Sequence, residues 1–441
     1  MKHDPVRISG IAVRGFKALR DEKRIDIKPL TILAGANSSG KSSIMQPLLL
    51  LKQTLEAPND PGALLLDGPC VRFTSMEQLL SKCPTTDKVR RFSVRLDLSN
   101  GRSLETVYRA KQKEGFEVER LTYVTSRKKT VIKPGMTHTQ IMAVVPSPFN
   151  NQPKYYDKGR ETELTWHIVR DRCFLSFGLY MMEYGKVRPF SYMTEISPGL
   201  DFIPIIKSII HLPGLRGNPQ RNYSKNAVAP VFPGTFENYV ASLVTHWQSN
   251  DKDKLKELGR LLEHLGLSWK VDAKAIDDTQ VELRVGRLPC GKRGGANDLV
   301  SIADVGVGIS QVLPVLVALV AGEPGQLVYI EQPEIHLHPR AQRRLAHALC
   351  EAAKRGVVLV VETHSALLLR EVQTLVALGQ MPKEDVSLQW FQRNEEGETV
   401  ISTATLDENG AYGDWPEDFD ETELDAEQAY LDAVERREAG G

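Results

Sequence analysis

The start of the chain alternates between apolar and polar positions, with charged turns between the alternating runs. A period of two is typical of strands that bury one face, so residues 8–32 are predicted to form hairpin strands. The spacing changes over residues 41–55, where Ile44, Leu48 and Leu51 recur at helical intervals. We therefore expect strands, a glycine- and serine-rich loop, and then a helix.

Two short runs towards the other end of the chain are wholly apolar and bulky. They cover residues 327–330 and 357–361, and this composition is typical of strands buried on both faces of a sheet. Helices are predicted over residues 340–354, between the two runs, and over residues 311–320, before the first run. Strands and helices alternate in this region, which indicates an α/β sheet.

The middle of the chain combines two kinds of segment. Residues 92–166 show strand-like alternation with basic turns and are predicted to form an inserted subdomain, whereas residues 202–247 contain helical runs broken by prolines. An amphipathic helix is predicted over residues 252–265, and no heptad pattern persists long enough for a long coiled coil. Beyond residue 413 the chain turns acidic, which predicts a solvated tail or terminal helix, with a partner-binding strip as the alternative.

Composition narrows the class of protein. The 441 residues are 41% apolar and 25% charged, which indicates a folded globular chain of two or three lobes. Lysine plus arginine and aspartate plus glutamate both number 56, so no net charge favours nucleic acid. The five cysteines are widely spread, which favours reduced thiols over disulfides. Without a long apolar run or a signal sequence, we expect a cytoplasmic protein with no membrane partner.

The loop before the first helix carries the strongest chemical motif. Residues 35–42 read Gly-Ala-Asn-Ser-Ser-Gly-Lys-Ser, which fits the phosphate-binding pattern G-x-x-x-x-G-K-[ST] between a strand and a helix. Its backbone N–H groups suit phosphate oxygens, Lys41 suits the terminal phosphates, and the Ser42 hydroxyl suits a magnesium ion. The predicted phosphate-binding residues are Gly35, Ala36, Asn37, Ser38, Ser39, Gly40, Lys41, Ser42 and Ser43.

Polar residues also follow the two buried strands. Residues 331–334 read Glu-Gln-Pro-Glu, which has the form of a second nucleotide motif with an acid at a strand end. Residues 362–365 read Glu-Thr-His-Ser and repeat this arrangement at the next strand. A histidine at the position of His364 can contact a terminal phosphate.

In combination these motifs resemble those of ABC-class ATPases of the structural-maintenance, RecF and OLD-like group. Residues 331–339 and 362–365 are similar to stand-alone AAA/ABC ATPases of bacterial defence and repair systems, and residues 305–311 lie where that group has its signature loop. The resemblance implies an α/β fold, an ABC-type P-loop ATPase head with a mixed central sheet, an N-terminal antiparallel β subdomain and a helical lobe inserted before the signature. The implied boundaries are 1–90 for the N-terminal half of the head with the Walker A loop, 91–298 for inserted β-rich and helical lobes, 299–405 for the C-terminal half of the head, and 406–441 for an acidic tail.

The resemblance also implies roles for individual residues, with ATP and Mg²⁺ as cofactors. Ser42 and Glu331 would hold the magnesium ion, and His364 would act as the switch histidine. In the group, the signature loop binds the nucleotide of the opposite subunit. That implies roles in trans for Gly306, Gly308, Ser310 and Gln311. A magnesium-sensing glutamine would be one of Gln46, Gln53 and Gln78.

One departure from the group's pattern concerns the general base. The usual Asp-Glu pair is Glu331-Gln332 here, and an amide cannot accept a proton near neutral pH. Two hypotheses remain open. Either Glu334 orients the attacking water, or hydrolysis is slow and ATP serves to hold a closed dimer.

The function implied by the resemblance is an ATP-binding and ATP-hydrolysing switch in a bacterial antiphage defence system of the Septu or PARIS kind. Two copies would pair head to tail, as a dimer or in a higher oligomer, and control a separately encoded effector, with a nuclease favoured. No acidic pattern typical of an OLD-type nuclease follows His364. The alternatives are a RecF-like DNA repair ATPase and a nucleotide-locked scaffold with little turnover.

Several other residues allow two interpretations. Phe16 and Lys17 resemble a short motif near the nucleotide base, although a core aromatic is the simpler interpretation of Phe16. His336 and His338 fit a subunit-contact loop better than a metal pair. Basic residues that either line a DNA-facing surface or lie in solvated turns are Arg90, Arg91, Arg95, Arg127, Lys128, Lys129, Arg216, Arg221 and Lys225, while Lys292 and Arg293 are candidates for contact with a nucleotide or a partner.

Overall fold

The computed structural model describes residues 5–82, 90–112, 114–146, 155–157, 160–162, 164–183, 186–291 and 297–413. Its strands in chain order are β1 (Ile8–Arg14), β2 (Lys23–Asp26), β3 (Leu30–Gly35), β4 (Arg91–Leu98), β5 (Ser103–Lys111), β6 (Gly115–Val124), β7 (Lys129–Ile132), β8 (Tyr155–Asp157), β9 (Arg160–Thr162), β10 (Leu164–Asp171), β11 (Phe174–Glu183), β12 (Lys186–Ile196), β13 (Ile210–Leu212), β14 (Tyr223–Ser224), β15 (Val271–Ala275), β16 (Gln280–Gly286), β17 (Leu299–Ser301), β18 (Leu327–Glu331), β19 (Val358–Glu362), β20 (Val386–Arg393) and β21 (Thr399–Ala404). Its α-helices are α1 (Lys41–Glu56), α2 (His138–Val144), α3 (Ile203–Lys207), α4 (Val240–Asn250), α5 (Lys252–Leu265), α6 (Val307–Ala321), α7 (Pro339–Lys354) and α8 (Ala366–Ala377).

A mixed six-stranded sheet lies at the centre of the head, in the order β13-β18-β19-β3-β20-β21. The first five of these strands are parallel, and β21 pairs with β20 in the antiparallel sense. The two wholly apolar runs form β18 and β19, and every residue of β19 is buried, as their composition predicts. The carboxyl ends of β3, β18 and β19 therefore meet at one edge of the sheet, where open α/β sheets bind ligands.

A second six-stranded sheet is antiparallel and begins with the N-terminal hairpin, in the order β2-β1-β4-β5-β6-β7. The free edge of β1 pairs with β4, with Ile11 opposite Leu96. The boundary expected between residues 90 and 91 therefore falls within one sheet. Strands β4 to β7 continue the N-terminal antiparallel sheet, because β4 completes the hydrogen bonding of β1.

The helical lobe before the signature contains the amphipathic helix that the sequence predicts. Helix α5 begins after Asp251, whose side chain accepts a hydrogen bond from the Lys254 N–H at 3.2 Å. It ends at Gly266 in the left-handed conformation. Its leucine face is buried in a core shared with α4, α6, α7 and the central sheet, which attaches this lobe to the head.

The observed architecture confirms the predicted fold class, a mixed α/β head with an antiparallel N-terminal sheet and a helical lobe. Within the described ranges the longest helices have 16 residues, so they contain no long coiled coil. None of the helices described is long and apolar enough to cross a membrane. Cys70, Cys173, Cys290 and Cys350 are free thiols. The residues outside the described ranges include Cys83, Lys292, Arg293 and the acidic segment beyond residue 413.

Candidate nucleotide-binding site

The phosphate-binding loop between β3 and α1 depends on two glycines. Gly35 and Gly40 have φ of +134° and +106°, a region that disfavours other residues. A Cβ atom at Gly35 would overlap the Phe391 carbonyl, and one at Gly40 would overlap the Thr399 side chain. Thr399 also donates a hydrogen bond from its hydroxyl to the Ser39 carbonyl at 2.8 Å. Strands β20 and β21 thus support the loop from outside, and helix α1 presents its free N–H groups at Lys41.

Lys41 is held inside this loop. Its Nζ atom donates to the carbonyl oxygens of Gly35 and Ala36, at 2.9 and 2.8 Å. Burial lowers the pKa of Lys41, while the charges of Glu362 and Glu334 work in the opposite direction. The ammonium group therefore lies where the loop would enclose phosphates, within the electrostatic range of two carboxylates.

The carboxylate that contacts the loop is Glu362, at the end of β19. The Ser42 hydroxyl donates to it, with distances of 2.8 Å to Oε2 and 3.1 Å to Oε1. The buried hydroxyl of Tyr329 donates to the same Oε2 atom at 3.0 Å. Burial raises the pKa of Glu362, and the bond from Ser42 opposes this effect. The strand-end motif at residues 362–365 alone does not identify this contact of Glu362.

Glu331, the predicted partner of Ser42, has different contacts. Its Oε1 atom lies 3.0 Å from Nε2 of His211, and its Oε2 atom accepts the Gly214 N–H at 3.2 Å. Burial acts to raise the pKa of Glu331, but the hydrogen bond and charge of His211 outweigh it and the pKa is lowered. In this structure the Ser42 hydroxyl contacts Glu362 and not Glu331. The Glu362 carboxylate and the Ser42 hydroxyl are oxygen donors of the kind that a magnesium ion takes, and the role of Glu331 in holding the ion stays a prediction.

The turn after β18 brings Glu334 towards His364. Gln332 adopts a left-handed conformation with φ of +45°, and its N–H donates to the Glu362 carbonyl at 2.7 Å. Glu334 is buried and its Oε1 atom accepts the His364 N–H at 2.8 Å, while Oε2 has no hydrogen-bond partner among the described residues. Burial raises the pKa of Glu334, and burial followed by the charge of Lys41 lowers the pKa of His364. A buried carboxylate with a raised pKa thus lies against the backbone of His364, where it can take up a proton.

The signature helix α6 begins beside this turn. Gly306 caps the helix and is exposed, and a Cβ atom at Gly308 would lie 3.1 Å from the His336 carbonyl oxygen. The buried Ser310 hydroxyl donates to the Val307 carbonyl at 2.9 Å, and Gln311 donates to the Gly217 carbonyl at 3.2 Å. The side chains of Ser310 and Gln311 therefore point into their own chain. The roles in trans for Gly306 and Gly308 stay predictions.

Arg216 is a site residue that the motifs do not identify. Its buried guanidinium group donates to the Gln332 carbonyl at 2.9 Å and to the Glu331 carbonyl at 3.4 Å. Its own carbonyl accepts a hydrogen bond from Gln311 at 3.4 Å. Arg216 thus connects the end of β18 to the signature helix. Its prediction as a surface residue was wrong, because the loop after β13 folds under the strand end.

Among the other basic residues grouped with Arg216, three form ion pairs. This pairing with nearby carboxylates reduces the local charge available to a polyanion. The pairs are Arg91 with Glu119, Arg95 with Asp97, and Arg221 with Asp304.

A cavity of about 710 Å³ opens between the loop after β1, residues 72–82 and the turn between β20 and β21. It is next to the phosphate-binding loop, since Thr399 bonds both Ser39 and the Ala18 carbonyl. Lys17 lines this cavity and donates to Gln46 at 2.6 Å. Cationic and aromatic groups beside a phosphate site suit the base and sugar of a nucleotide.

The structure separates the three candidate glutamines. Gln53 is buried and bonds the Leu65 carbonyl and the Val71 N–H, so its amide is committed to the fold. Gln78 lines the cavity and bonds Thr74, and Gln46 is one helical turn beyond Ser42. The magnesium-sensing role stays a prediction for one of these last two.

Two further interpretations concern aromatic and histidine residues. Phe16 is fully buried and its ring lies 5.4 Å from that of Phe92, which matches the core-aromatic alternative. His338 caps α7, where its Nδ1 atom accepts the Arg340 N–H at 3.3 Å. No cluster of three metal-ligating side chains occurs in the part of the chain that the structure describes.

Models of two protein families match separate stretches of the chain. Residues 7–135 match an "AAA ATPase domain", and residues 248–370 match a family described as "AAA domain, putative AbiEii toxin, Type IV TA system". The first stretch contains the phosphate-binding loop, and the second contains α6, β18 and β19. These matches support an ATPase of the AAA/ABC type, a class that binds ATP and typically Mg²⁺. A search of curated proteins gave no match.

Similar solved structures are distant in sequence. An SMC head bound to the C-winged helix domain of ScpA is 12% identical over 91% of this chain and 98% of its own, with a TM-score of 0.48. The SMC head domain from Thermotoga maritima is 10% identical over 90% and 98%, with a TM-score of 0.39. An Smc head domain with an extended coiled coil, bound to the C-terminal domain of ScpA and derived from Pyrococcus furiosus, is 10% identical over 98% and 100%, with a TM-score of 0.48. The assignment of an ATPase head therefore rests on the family matches and the loop geometry.

Proposed function

We propose that the protein is an ATP-driven switch, in which two copies close on two magnesium-bound ATP molecules and hydrolysis opens them again. The observation that carries this proposal is the gathering of Lys41, Ser42, Glu334, Glu362 and His364 at one edge of the central sheet. A cation for phosphates, oxygen donors for magnesium and a buried carboxylate are the components that phosphoryl transfer to water requires.

Surface features beside the site support the closed dimer. The start of α6 is exposed at Gly306 and Val307, so its free N–H groups are available to a phosphate carried by another chain. Leu215, in the loop that holds Glu331, is 92% exposed. Apolar side chains on the rim of a nucleotide site favour burial by a second copy. In this proposal Gly306 and Gly308 act on the partner's nucleotide.

For hydrolysis, we propose Glu334 as the group that orients and deprotonates the attacking water. Gln332 has an amide at the position of the usual base, and its backbone is fixed by bonds to Glu362 and Arg216. Glu334 instead combines burial, a raised pKa and a contact with the N–H of His364. The chain also has a second candidate function, a nucleotide-locked scaffold, which the amide at position 332 favours.

The experiment that tests the ATPase compares phosphate release by the wild type, Lys41→Ala and Glu334→Gln under saturating ATP and magnesium. An active switch predicts measurable turnover in the wild type and its loss in both variants. Light scattering with and without ATP then reports the mass of the particle. Binding of ATP with dimer formation but without turnover in the wild type would instead support the locked scaffold.

We further propose that the switch controls a separately encoded effector, with a nuclease favoured, in an antiphage defence system of the Septu or PARIS kind. Support comes from the motif resemblance and from the toxin–antitoxin wording of the family matched by residues 248–370. Affinity purification from the native host, with and without phage infection, tests this proposal. Recovery of an effector protein in stoichiometric amounts is expected. Strong stimulation of turnover by DNA alone would support the RecF-like alternative.

A further inference from the structure

We propose that Glu362, rather than Glu331, is the carboxylate that holds the magnesium ion together with Ser42, and that Tyr329 positions it. This inference rests on the proposed function, because it concerns the ion that accompanies ATP. The motifs instead imply that Glu331, the acid at the end of β18, holds the ion.

Strand order places Glu362 closer to the phosphate-binding loop than Glu331. Strand β19 lies between β18 and β3, and Glu331 and Glu362 are register partners at the ends of their strands. Neighbouring strands are about 4.8 Å apart, so Glu362 is one strand spacing from β3 and Glu331 is two. Lys41 and Ser42 are the first two residues of α1. The hydroxyl of Ser42 accordingly reaches both oxygens of Glu362.

The partners of Glu331 further separate the two carboxylates. Its Oε1 atom is engaged by His211 and its Oε2 atom by the Gly214 N–H, while the Tyr329 hydroxyl interacts with both carboxylates. A carboxylate that must abandon two hydrogen bonds before it can bind an ion is a poorer ligand than one already facing the hydroxyl. Glu331 therefore anchors the loop after β13 to the strand end.

Tyr329 fixes the orientation of Glu362. Its side chain is fully buried two residues before Glu331, and its hydroxyl donates to Glu362 Oε2 at 3.0 Å. The ring of His211 stacks on that of Tyr329 with centroids 5.3 Å apart and an angle of 12°. The His211 imidazole therefore packs against Tyr329 and is also hydrogen-bonded to Glu331. Hydrogen bonds to a liganding carboxylate commonly set its orientation and affinity for a metal.

The test uses manganese as a paramagnetic substitute for magnesium and the full-length protein loaded with a non-hydrolysable ATP analogue. Free Mn²⁺ is measured by electron paramagnetic resonance during titration, which reports metal affinity without turnover. Glu362→Gln is expected to raise the Kd for Mn²⁺ about 10-fold to 100-fold. The matched control is Glu331→Gln, the same change on the adjacent strand, which is expected to alter the Kd by about twofold or less. Binding of the analogue in EDTA should be unchanged in Glu362→Gln.

Tyr329→Phe keeps the buried ring and removes only the hydroxyl that bonds Glu362. It is expected to raise the Kd for Mn²⁺ about tenfold, with an unchanged cooperative thermal transition as the check on folding. An unchanged Kd in Glu362→Gln together with a large increase in Glu331→Gln would overturn the inference while leaving the proposed ATPase intact. Failure of the wild type to bind the analogue in EDTA or with Mn²⁺ would overturn both.

Discussion

The phosphate-binding loop and the strand ends that face it are the two halves of one site, but different parts of the chain determine their geometry. The loop is shaped by residues close in sequence, since Gly35, Gly40 and Lys41 produce its turn and hold the ammonium group inside it. At the strand ends, strand order determines which partner each carboxylate meets. A loop more than 100 residues away along the chain also contacts the strand ends, through His211 and Arg216. A short motif can therefore identify the first half, whereas the roles of individual residues in the second half depend on tertiary contacts.

The largest effect is expected at the strand ends, from Glu334→Gln. If Glu334 is the general base, turnover should fall about 100-fold to 10,000-fold, because an amide cannot take a proton from water. ATP binding should persist, since Lys41 and Ser42 are unchanged. Single-turnover phosphate release and fluorescent-nucleotide binding measure the two quantities. Glu331→Gln provides the control, and equal turnover in the wild type and Glu334→Gln would reject this base assignment.

The pH dependence of turnover sharpens the same assignment. Burial raises the pKa of Glu334 above its ordinary 4.5, so its carboxyl group stays protonated to higher pH than an exposed glutamate. Only the carboxylate can accept a proton, and turnover should therefore fall as pH decreases through that raised pKa. Burial and the charge of Lys41 lower the pKa of His364. Glu334→Gln should lack this acidic limb in a kcat profile. If the variant retains the limb, the titrating group is another residue.

In the loop, Lys41→Ala should reduce turnover about 100-fold to 1,000-fold, because the ammonium group stabilises charge on the transferred phosphate. In contrast to Glu334→Gln, this change should also weaken nucleotide binding. Isothermal calorimetry with a non-hydrolysable analogue separates the two behaviours. Lys52→Ala is a poor control because Lys52 is itself buried and bonded, so an exposed residue such as Lys274 is preferable. Undiminished nucleotide affinity in Lys41→Ala would contradict the role of the loop.

The features that could be predicted from the sequence are those set by residues close together in the chain. The loop, helix α5 and the buried strands β18 and β19 were predicted close to their observed bounds, because periodicity and capping residues are local signals. The pairing of β1 with β4, which joins residues 91–132 to the N-terminal hairpin, could not be predicted because it is not encoded in either strand alone. Glu362 received no role and Arg216 was placed at the surface for the same reason. Their contacts come from chain segments that are distant in sequence.

Arg216→Ala tests whether the strand ends depend on such distant contacts. The buried guanidinium group donates to two carbonyls at the end of β18, and bonds of this charged type contribute about 1.5–3 kcal/mol each. The free energy of unfolding should fall by about 3 kcal/mol, as measured by urea denaturation. Arg221→Ala is the matched control, since Arg221 forms a bidentate but exposed pair with Asp304 and should contribute about 1 kcal/mol or less. Equal losses in the two variants would mean that Arg216 does not support the strand end.

The smallest effect is expected at the rim of the site, where Leu215 is the most exposed large apolar side chain in the described chain. In the proposed closed dimer its burial would contribute about 1.5–3 kcal/mol, so Leu215→Ser should weaken ATP-dependent dimerisation about 10-fold to 100-fold. Leu378→Ser is the matched control, because Leu378 is also an exposed leucine, at 63%. It follows α8, where the chain returns to the start of β20, at the edge of the sheet opposite the nucleotide site. Analytical ultracentrifugation with magnesium and a non-hydrolysable analogue measures both variants. An equal loss of dimer in the two would indicate general stickiness of exposed leucines, whereas a loss confined to Leu215→Ser places the second copy on the nucleotide face.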